Sequence, residues 1–296
     1  MVGTLMTETS RYPHLNGDAA VAADMDNETR IKYMYADRYV PYDRADKIIS
    51  ELEFLVGLDD AIRPQGRLLV GSSLSGKTTI LNEFFKRHPA DDNLDGEAVR
   101  VPVLYVSLPE SPKDSIYYQI LGRLGVQLPS YTKFHVIRET ALKLMCDIGM
   151  RVLIVDEVGN LLEGSKSHQR LAMNTLKAIM NEIRRPLVAA GTEDALQAIS
   201  SDLQIQSRLA PIQLPPFKCD RQFSLLLAGF EMMLPLREPS NFGKNANLIR
   251  KVHLMTGGVI GNVSDLLNRA AEHAIKLGIE YVDEEILDKC SFARYE

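Results

Sequence analysis

The chain has 296 residues, 45% of them hydrophobic, and a formal net charge of −5. This content suffices for a sizeable core, in one large α/β domain or in a domain with a small appendage. No apolar run approaches the ~20 residues of a membrane span, and the N-terminus lacks the pattern of a signal peptide, so we expect a cytoplasmic protein that does not enter a membrane. The charge argues against a protein that coats nucleic acid by bulk positive charge, although it allows a local basic surface.

The N-terminal region changes character near residue 29. Residues 1–28 have no hydrophobic periodicity and are predicted to form a mobile tail. From Arg30, apolar residues recur at helical spacing on both sides of a Tyr39-Val-Pro-Tyr42 segment. The pattern predicts a helix, a proline-containing loop and a second helix.

After Pro64, short apolar runs alternate with longer helical patterns, which is typical of a parallel sheet with crossover helices. The predicted strands are Arg67–Gly71, Val101–Ser107, Val152–Asp156, Leu187–Gly191 and Pro211–Leu214. The predicted helices between them are Gly76–Arg87, Pro112–Leu124, Phe134–Ile148, His168–Ile183 and Glu193–Ile199. The strand pattern stops after Pro215 and Pro216, so we expect an α/β core at 29–216 and a small helical unit at 217–296.

A phosphate loop is the strongest motif in the sequence. It fits G-x-x-x-x-G-K-[ST] directly after a predicted strand and before a predicted helix. Its residues are Gly71, Ser72, Ser73, Leu74, Ser75, Gly76, Lys77 and Thr78, followed by Thr79. Backbone N–H groups and the helix N-terminus would face the phosphates of ATP, Lys77 would reach the β- and γ-phosphates, and the Thr78 hydroxyl would bind Mg²⁺. The alternative is a glycine-rich turn with a surface lysine.

A second motif is the apolar strand that ends in Asp156 and Glu157. Ligands of open α/β sheets lie beyond the carboxyl ends of the strands, so both acids should face the phosphate loop. Asp156 fits a Mg²⁺ ligand, and Glu157 fits the base that polarises the attacking water. The alternative is a strand that ends in acids for solubility.

Thr192 follows the predicted strand Leu187–Gly191. At that position a hydroxyl would lie between the two acids and the γ-phosphate, where it can orient water. It also fits the N-cap of the helix that begins at Glu193. The two roles are compatible.

Arg208 precedes the last predicted strand. An arginine at this position can project into the nucleotide site of a neighbouring subunit and neutralise charge on the γ-phosphate. A surface arginine or a structural ion pair is the alternative.

Together these residues resemble the pattern of an AAA+ P-loop NTPase, with a five-stranded parallel sheet and a small C-terminal helical lid. More narrowly, the chain resembles the TniB/TnsC family of transposition regulators from about Arg30 to Ile275. The segments that carry this resemblance are Arg38-Tyr-Val-Pro-Tyr42-Asp-Arg44-Ala, the phosphate loop with Lys77-Thr78-Thr79, Val-Leu-Ile-Val-Asp156-Glu157, Ala189-Ala-Gly191-Thr192 and Thr256-Gly-Gly258-Val-Ile-Gly261-Asn.

The resemblance implies an ATP-loaded homo-oligomer, a ring or helical filament that wraps double-stranded DNA. Its implied partners are a transposase and a TniQ-like target-selection protein. It also implies that Val40 and Tyr42 pack on the adenine and that Arg208 acts in trans. The sequence departs from many AAA+ proteins near Gly261, where Asn262 replaces an arginine that senses nucleotide; the nearest arginine is Arg269.

For DNA, the candidate contacts are Lys113, Thr132 and Lys133. Lysine and hydroxyl groups suit phosphate contacts, which position DNA without reading its sequence. Repetition around a ring would supply the affinity that a single acidic chain lacks. The alternative is a solvated helix start.

Other functions share some of these motifs. A related AAA+ initiator or loader ATPase has the same site. A P-loop small-molecule kinase shares the phosphate loop but does not explain Glu157, Arg208 or the terminal helices. A nucleotide-gated adaptor would keep Lys77 and tolerate the loss of Glu157.

Overall fold

The computed structural model describes residues 11–94, 96, 99–109, 116–129, 131–162 and 165–292. The chain divides into two compact units. The sheet unit runs from Arg44 to Pro215, and the helical unit combines the chain up to Asp43 with the chain from Pro216 onward. The sequence grouped residues 29–216 together, whereas in this division residues 29–43 group with the C-terminal helices.

The sheet unit contains five parallel strands in the order β2-β3-β4-β1-β5. The strands are β1 Gly66–Val70, β2 Val103–Ser107, β3 Val152–Asp156, β4 Leu187–Gly191 and β5 Leu209–Gln213. Strands β3 and β4 are buried along their whole length, as expected for a sheet with helices on both faces. The predicted five-stranded parallel α/β sheet is confirmed.

Helices in the sheet unit follow the predicted alternation. They are α3 Asp43–Val56, α4 Lys77–Lys86, α5 Ile116–Arg123, α6 Phe134–Asp147, α7 Val158–Leu162, α8 Lys166–Ile183, α9 Glu193–Ser200 and α10 Leu203–Gln206. The sequence did not predict α7 and α10, because helices of five and four residues are too short to show a helical period. The first residues of the predicted helix Pro112–Leu124 lie outside the described residues.

The helical unit contains α1 Gly17–Ala23, α2 Asn27–Tyr35, α11 Arg221–Glu231, α12 Ala246–Thr256, α13 Ile260–Leu277 and α14 Glu284–Phe292. Its core joins apolar residues of α2 and of α11–α14, including Met34, Phe223 and Leu267. In the described part of the chain, the structure has no helix with the length and apolar character needed to cross a bilayer.

Helix α1 departs from the prediction that residues 1–28 form a tail. The Asn16 side chain caps α1 by accepting from the Ala19 N–H at 2.8 Å, and Asp26 caps α2 by accepting from the Thr29 N–H at 3.0 Å. Ala19 and Ala23 are fully buried. Side-chain caps and tertiary burial therefore stabilise a helix that is too short to be recognised by periodicity.

Candidate nucleotide-binding site

The loop after β1 is tightly curled. The Gly71 N–H donates to the Gly191 carbonyl at 3.2 Å, and a Cβ on Gly71 would lie 2.5 Å from Ser75 Oγ and 2.9 Å from the Leu214 carbonyl oxygen. Leu74 and Gly76 have positive φ angles of 62° and 90°. Only a residue without a side chain fits at Gly71, and the left-handed turns bring the loop back onto the start of α4.

The N-terminus of α4 is suited to an anion. Gly76 is the N-cap residue and supplies no side-chain hydrogen bond. The first N–H groups of a helix have no intrahelical acceptor, and the helix dipole makes this end positive. Thr78 and Thr79 are exposed beside these groups, as are Ser72 and Ser73 in the loop. The arrangement can therefore receive phosphate oxygens.

Lys77 is buried, with 5% of its surface exposed. Its Nζ donates to the carbonyl oxygens of Gly71 at 3.0 Å and Ser72 at 2.9 Å. Burial lowers the pKa of Lys77, and the charges of Glu157 and Asp156 oppose that shift. The ammonium group is thus held inside the loop within the electrostatic range of both acids.

Asp156, at the end of β3, is 1% exposed and accepts three hydrogen bonds. Its Oδ2 accepts from Thr78 Oγ1 at 2.8 Å and from the Tyr105 hydroxyl at 2.6 Å, and its Oδ1 accepts from the Glu157 N–H at 2.8 Å. The structure therefore brings together Thr78 and Asp156, the two residues predicted to bind the metal.

Tyr105 is a site residue that the sequence reasoning missed. It lies on β2 opposite Ile154 of β3, and side chains two residues apart on a strand point to the same face. Its hydroxyl therefore reaches Asp156. Burial, together with the hydrogen bond to Asp156, raises the pKa of Tyr105, so that its hydroxyl stays protonated. The aromatic residue was visible in the sequence, but the strand register that selects its partner was not.

Glu157 is exposed and adopts a left-handed backbone conformation with a φ of 54°. This region is unfavourable for a residue with a side chain and is enriched at functional sites. The turn ends β3 and begins α7 at Val158. The chain therefore turns away from the direction of β3 at Glu157, immediately after the buried Asp156.

Thr192 lies between the phosphate loop and the two acids. Strand β4 pairs with β1 on one side, with Val70 opposite Gly191, and with β3 on the other. Thr192 is the N-cap residue of α9, but its side chain makes no capping hydrogen bond. The sequence allowed Thr192 to orient water or to cap α9. The structure places Thr192 at the N-cap position, but its hydroxyl does not cap the helix.

Arg208 lies at the amino ends of the strands, whereas the phosphate loop and the two acids lie at the carboxyl ends. Leu209 begins β5 and pairs with Gly66 at the start of β1, whereas the phosphate loop follows the end of β1. Five residues of strand span roughly 16 Å, which is longer than an arginine side chain. Arg208 Nη1 donates to Asn181 Oδ1 at 2.5 Å on the exposed surface. Within one chain, Arg208 is therefore separated from the phosphate loop.

Val40 and Tyr42, predicted to contact adenine, belong to the helical unit. Val40 is 7% exposed in its core, and the Tyr42 ring lies 5.3 Å from the Phe217 ring, centroid to centroid. In the same unit, Arg269 pairs with Asp265 of its own helix at 3.0 Å. The adenine contact stays a prediction.

Of the candidate DNA contacts, Lys113 lies outside the described residues. Thr132 Oγ1 donates to the Pro129 carbonyl at 2.7 Å, and Lys133 is the exposed N-cap residue of α6, with no side-chain cap. The Lys133 ammonium is therefore presented at the surface, while the Thr132 hydroxyl stabilises its own turn.

The Thr78 hydroxyl and the Asp156 carboxylate, which lie 2.8 Å apart, would supply oxygen ligands to a divalent cation at this site. Among the described residues, no three His, Cys, Asp or Glu side chains form a metal cluster. Mg²⁺ prefers a few protein oxygens together with water and substrate phosphates, so this small donor set fits Mg²⁺ that arrives with a nucleotide.

Comparisons with known proteins agree with this fold. A family model described as "Bacterial TniB protein" matches residues 30–219. No curated protein sequence matches the chain.

Solved structures similar to the chain include the Aeropyrum pernix ORC2 protein in ADPNP–ADP complexes (17% identity, TM-score 0.58, 88% of this chain and 71% of that chain). They also include Cdc6p from Pyrobaculum aerophilum (16%, 0.59, 91% and 71%) and the A. pernix ORC1 protein in complex with DNA (16%, 0.55, 89% and 69%). At these identities the likeness shows the fold alone. It confirms the predicted fold class, an α/β fold with a five-stranded parallel sheet.

Proposed function

We propose that this chain, which belongs to the TniB family, is an ATP-dependent regulator of DNA transposition that oligomerises on double-stranded DNA and recruits a transposase. A TniQ-like target-selection protein is the second proposed partner. ATP bound at the phosphate loop with Mg²⁺ is the assembly signal, and its hydrolysis ends the assembled state.

The separation of Arg208 from the phosphate loop is the observation that carries the oligomeric part of this proposal. The carboxyl ends of the strands carry Lys77, Asp156 and Glu157. Arg208 lies at the amino ends. An active site completed by Arg208 requires a neighbouring subunit. Such head-to-tail contacts generate rings or helical filaments.

In the proposed hydrolysis, the loop N–H groups and Lys77 bind the phosphates and neutralise charge on the β- and γ-phosphates. Thr78 and Asp156 hold Mg²⁺, which supplies charge stabilisation on the phosphate oxygens when bound. Glu157 accepts the proton of the attacking water, and Thr192 orients that water. Arg208 of the next subunit stabilises the transition-state charge.

The adenine and DNA contacts complete the proposal. Val40 and Tyr42 pack on the adenine base, and Lys113, Thr132 and Lys133 contact DNA phosphates. The exposure of Lys133 supports its role, because an ammonium group at the surface can replace counterions without rearrangement. Repeated contacts along the assembly provide avidity despite the negative net charge of each chain.

Electron microscopy of the purified protein with duplex DNA, with and without a slowly hydrolysed ATP analogue, tests the assembly. We expect rings or filaments on DNA only when the nucleotide is present. Monomers that transfer phosphate to a small metabolite would contradict the proposal and favour the kinase alternative.

A subunit-mixing experiment tests the shared site. Arg208→Ala and Glu157→Gln subunits should each hydrolyse ATP poorly alone. A mixture of the two variants should regain activity. The Arg208→Ala subunit keeps Glu157 in its nucleotide site, and that site can receive Arg208 from a Glu157→Gln subunit. Arg63→Ala is a matched control. Arg63 donates at 2.5 Å to Ser207, the residue next to Arg208, but has no proposed catalytic role. Failure of the mixture to recover activity would argue against an arginine acting in trans.

Salt-dependent DNA binding tests Lys133. Lys133→Ala should weaken binding and reduce the slope of log affinity against log salt by about 0.9 for each lost phosphate contact. Lys143→Ala, an exposed lysine further along α6, is the matched control. Equal slopes for both variants and the wild type would remove Lys133 from the interface.

A further inference from the structure

Tyr105 occupies an unusual place for a core aromatic residue. It is 9% exposed on β2, and its ring lies 5.8 Å from the Phe85 ring of α4, centroid to centroid. The Phe85 contact holds the tyrosine between the sheet and the helix that carries the end of the phosphate loop. The Tyr105 ring therefore packs against the same helix that carries Thr78.

The Tyr105 hydroxyl makes its hydrogen bond to the carboxylate of Asp156, at 2.6 Å. The same oxygen, Oδ2, also accepts from Thr78 at 2.8 Å. Of these two hydroxyls, that of Thr78 has a proposed metal role and that of Tyr105 has none. Tyr105 is therefore a donor whose effect on the site passes through Asp156.

Hydrogen bonds to a ligating carboxylate orient it and tune its affinity for the metal. The Glu157 N–H fixes one oxygen of Asp156 at 2.8 Å, and the Tyr105 hydroxyl fixes the other. With both oxygens held, the carboxylate cannot rotate away from Thr78 without breaking a buried hydrogen bond.

We propose that Tyr105 is a positioning residue for the Mg²⁺–nucleotide site, holding the Asp156 carboxylate in the orientation that faces Thr78. This inference rests on the proposed function, because it assigns Tyr105 a role toward the metal that accompanies ATP. A purely structural tyrosine would contribute through the contacts of its ring, and the hydroxyl would be dispensable.

The test measures binding of a fluorescent ATP analogue to the full chain, first in EDTA and then over a Mg²⁺ titration. Tyr105→Phe keeps the ring and removes the hydroxyl. Its affinity in EDTA should equal that of the wild type, while the Mg²⁺ concentration for half-maximal gain in affinity should rise by about 10- to 100-fold. Tyr117→Phe is the matched control, because Tyr117 is a buried tyrosine of α5.

A Mg²⁺ requirement unchanged in Tyr105→Phe would overturn the inference and leave the proposed function intact. An equal loss of affinity with and without Mg²⁺ would also overturn it, since that result indicates a structural role. A wild-type chain that binds no nucleotide would overturn the proposed function together with this inference.

A double-mutant cycle with Asp156→Asn provides an independent readout. If Tyr105 acts through Asp156, its substitution should change the Mg²⁺ requirement much less when Asp156 is already replaced. Additive effects would overturn the inference. Thermal unfolding of each variant without nucleotide verifies that the compared proteins are folded.

Discussion

The two units differ in where their buried polar residues lie and in what these residues contact. In the helical unit, the guanidinium of the fully buried Arg30 donates to the Pro235 carbonyl and the side chains of Asn27 and Glu280. The hydroxyls of Ser240 and Thr256 are hydrogen-bonded within the same unit. These groups are satisfied by the protein itself, whereas the buried Nε2 atom of His273 in the same unit has no hydrogen-bond partner among the described residues.

Among the described residues of the sheet unit, the buried polar residues Ser75, Lys77 and Asp156 all lie at the candidate site. Ser75 Oγ is buried without a hydrogen-bond partner among the described residues. Within the same described part of the chain, the ammonium group of Lys77 donates only to the carbonyl oxygens of Gly71 and Ser72 in its own loop. Both groups therefore lie in the phosphate loop with hydrogen-bonding capacity that a phosphate ligand could use. We therefore expect substitutions in the helical unit to change folding and those in the sheet unit to change nucleotide chemistry.

The largest effect is expected for Glu157→Gln, measured as steady-state ATP turnover. Turnover should fall by about 10²- to 10⁴-fold, the usual contribution of a general base, while ATP affinity is retained. The exposed, left-handed position of Glu157 gives it no packing role, so the free energy of unfolding should change little. Unchanged turnover would remove Glu157 from the catalytic role.

Arg30→Met should produce the largest loss of stability. Breaking a buried ion pair leaves an uncompensated partner and costs about 3–5 kcal/mol in the free energy of unfolding. Urea unfolding measures this loss. Arg269→Met is the control, because its pair with Asp265 lies on one helix surface and such pairs contribute about 0–1 kcal/mol. Equal losses in the two variants would contradict the contrast between buried and surface pairs.

Lys77→Ala should weaken ATP binding by roughly 10- to 100-fold, because a hydrogen bond to a charged group contributes about 1.5–3 kcal/mol. Calorimetry or fluorescence measures the affinity. The nucleotide-free variant should lose less stability than Arg30→Met, since it no longer buries an ammonium group. Equal ATP affinity in variant and wild type would argue against the phosphate-loop assignment.

The smallest effect is the pH dependence contributed by Glu280. Burial favours a higher pKa for Glu280, but hydrogen bonds from Arg30 and the Arg237 N–H, with the charges of both arginines, lower it below the ordinary value of 4.5. Because the pKa of Glu280 is lowered in the folded state, its ionised carboxylate contributes fully to the free energy of unfolding above about pH 4.5. This stabilisation is lost as the pH falls through the lower pKa of the folded protein. The difference in unfolding free energy between wild type and Glu280→Gln should therefore shrink below pH 4.5. A constant difference would indicate that charge on Glu280 is unimportant.

Most of the sheet unit could be predicted from local patterns. Apolar runs predicted all five strands, and β3 and β4 have the predicted bounds at Val152–Asp156 and Leu187–Gly191. Strand β5 begins two residues earlier than predicted, at Leu209, because its pairing with Gly66 extends the strand beyond the apolar run. The residues of α1, α7 and α10 gave no usable pattern, since helices of seven, five and four residues are too short to show a helical period.

The sequence by itself determined the phosphate loop, the two acids at the end of β3 and the family to which the chain belongs, because each depends on residue types at fixed spacing. Only the tertiary structure decided that Tyr105 and Thr78 share one oxygen of Asp156 and that Arg208 lies at the far edge from Lys77. The reason is physical. Spacing along a chain fixes local geometry, whereas partners that are distant in sequence are selected by strand order and register.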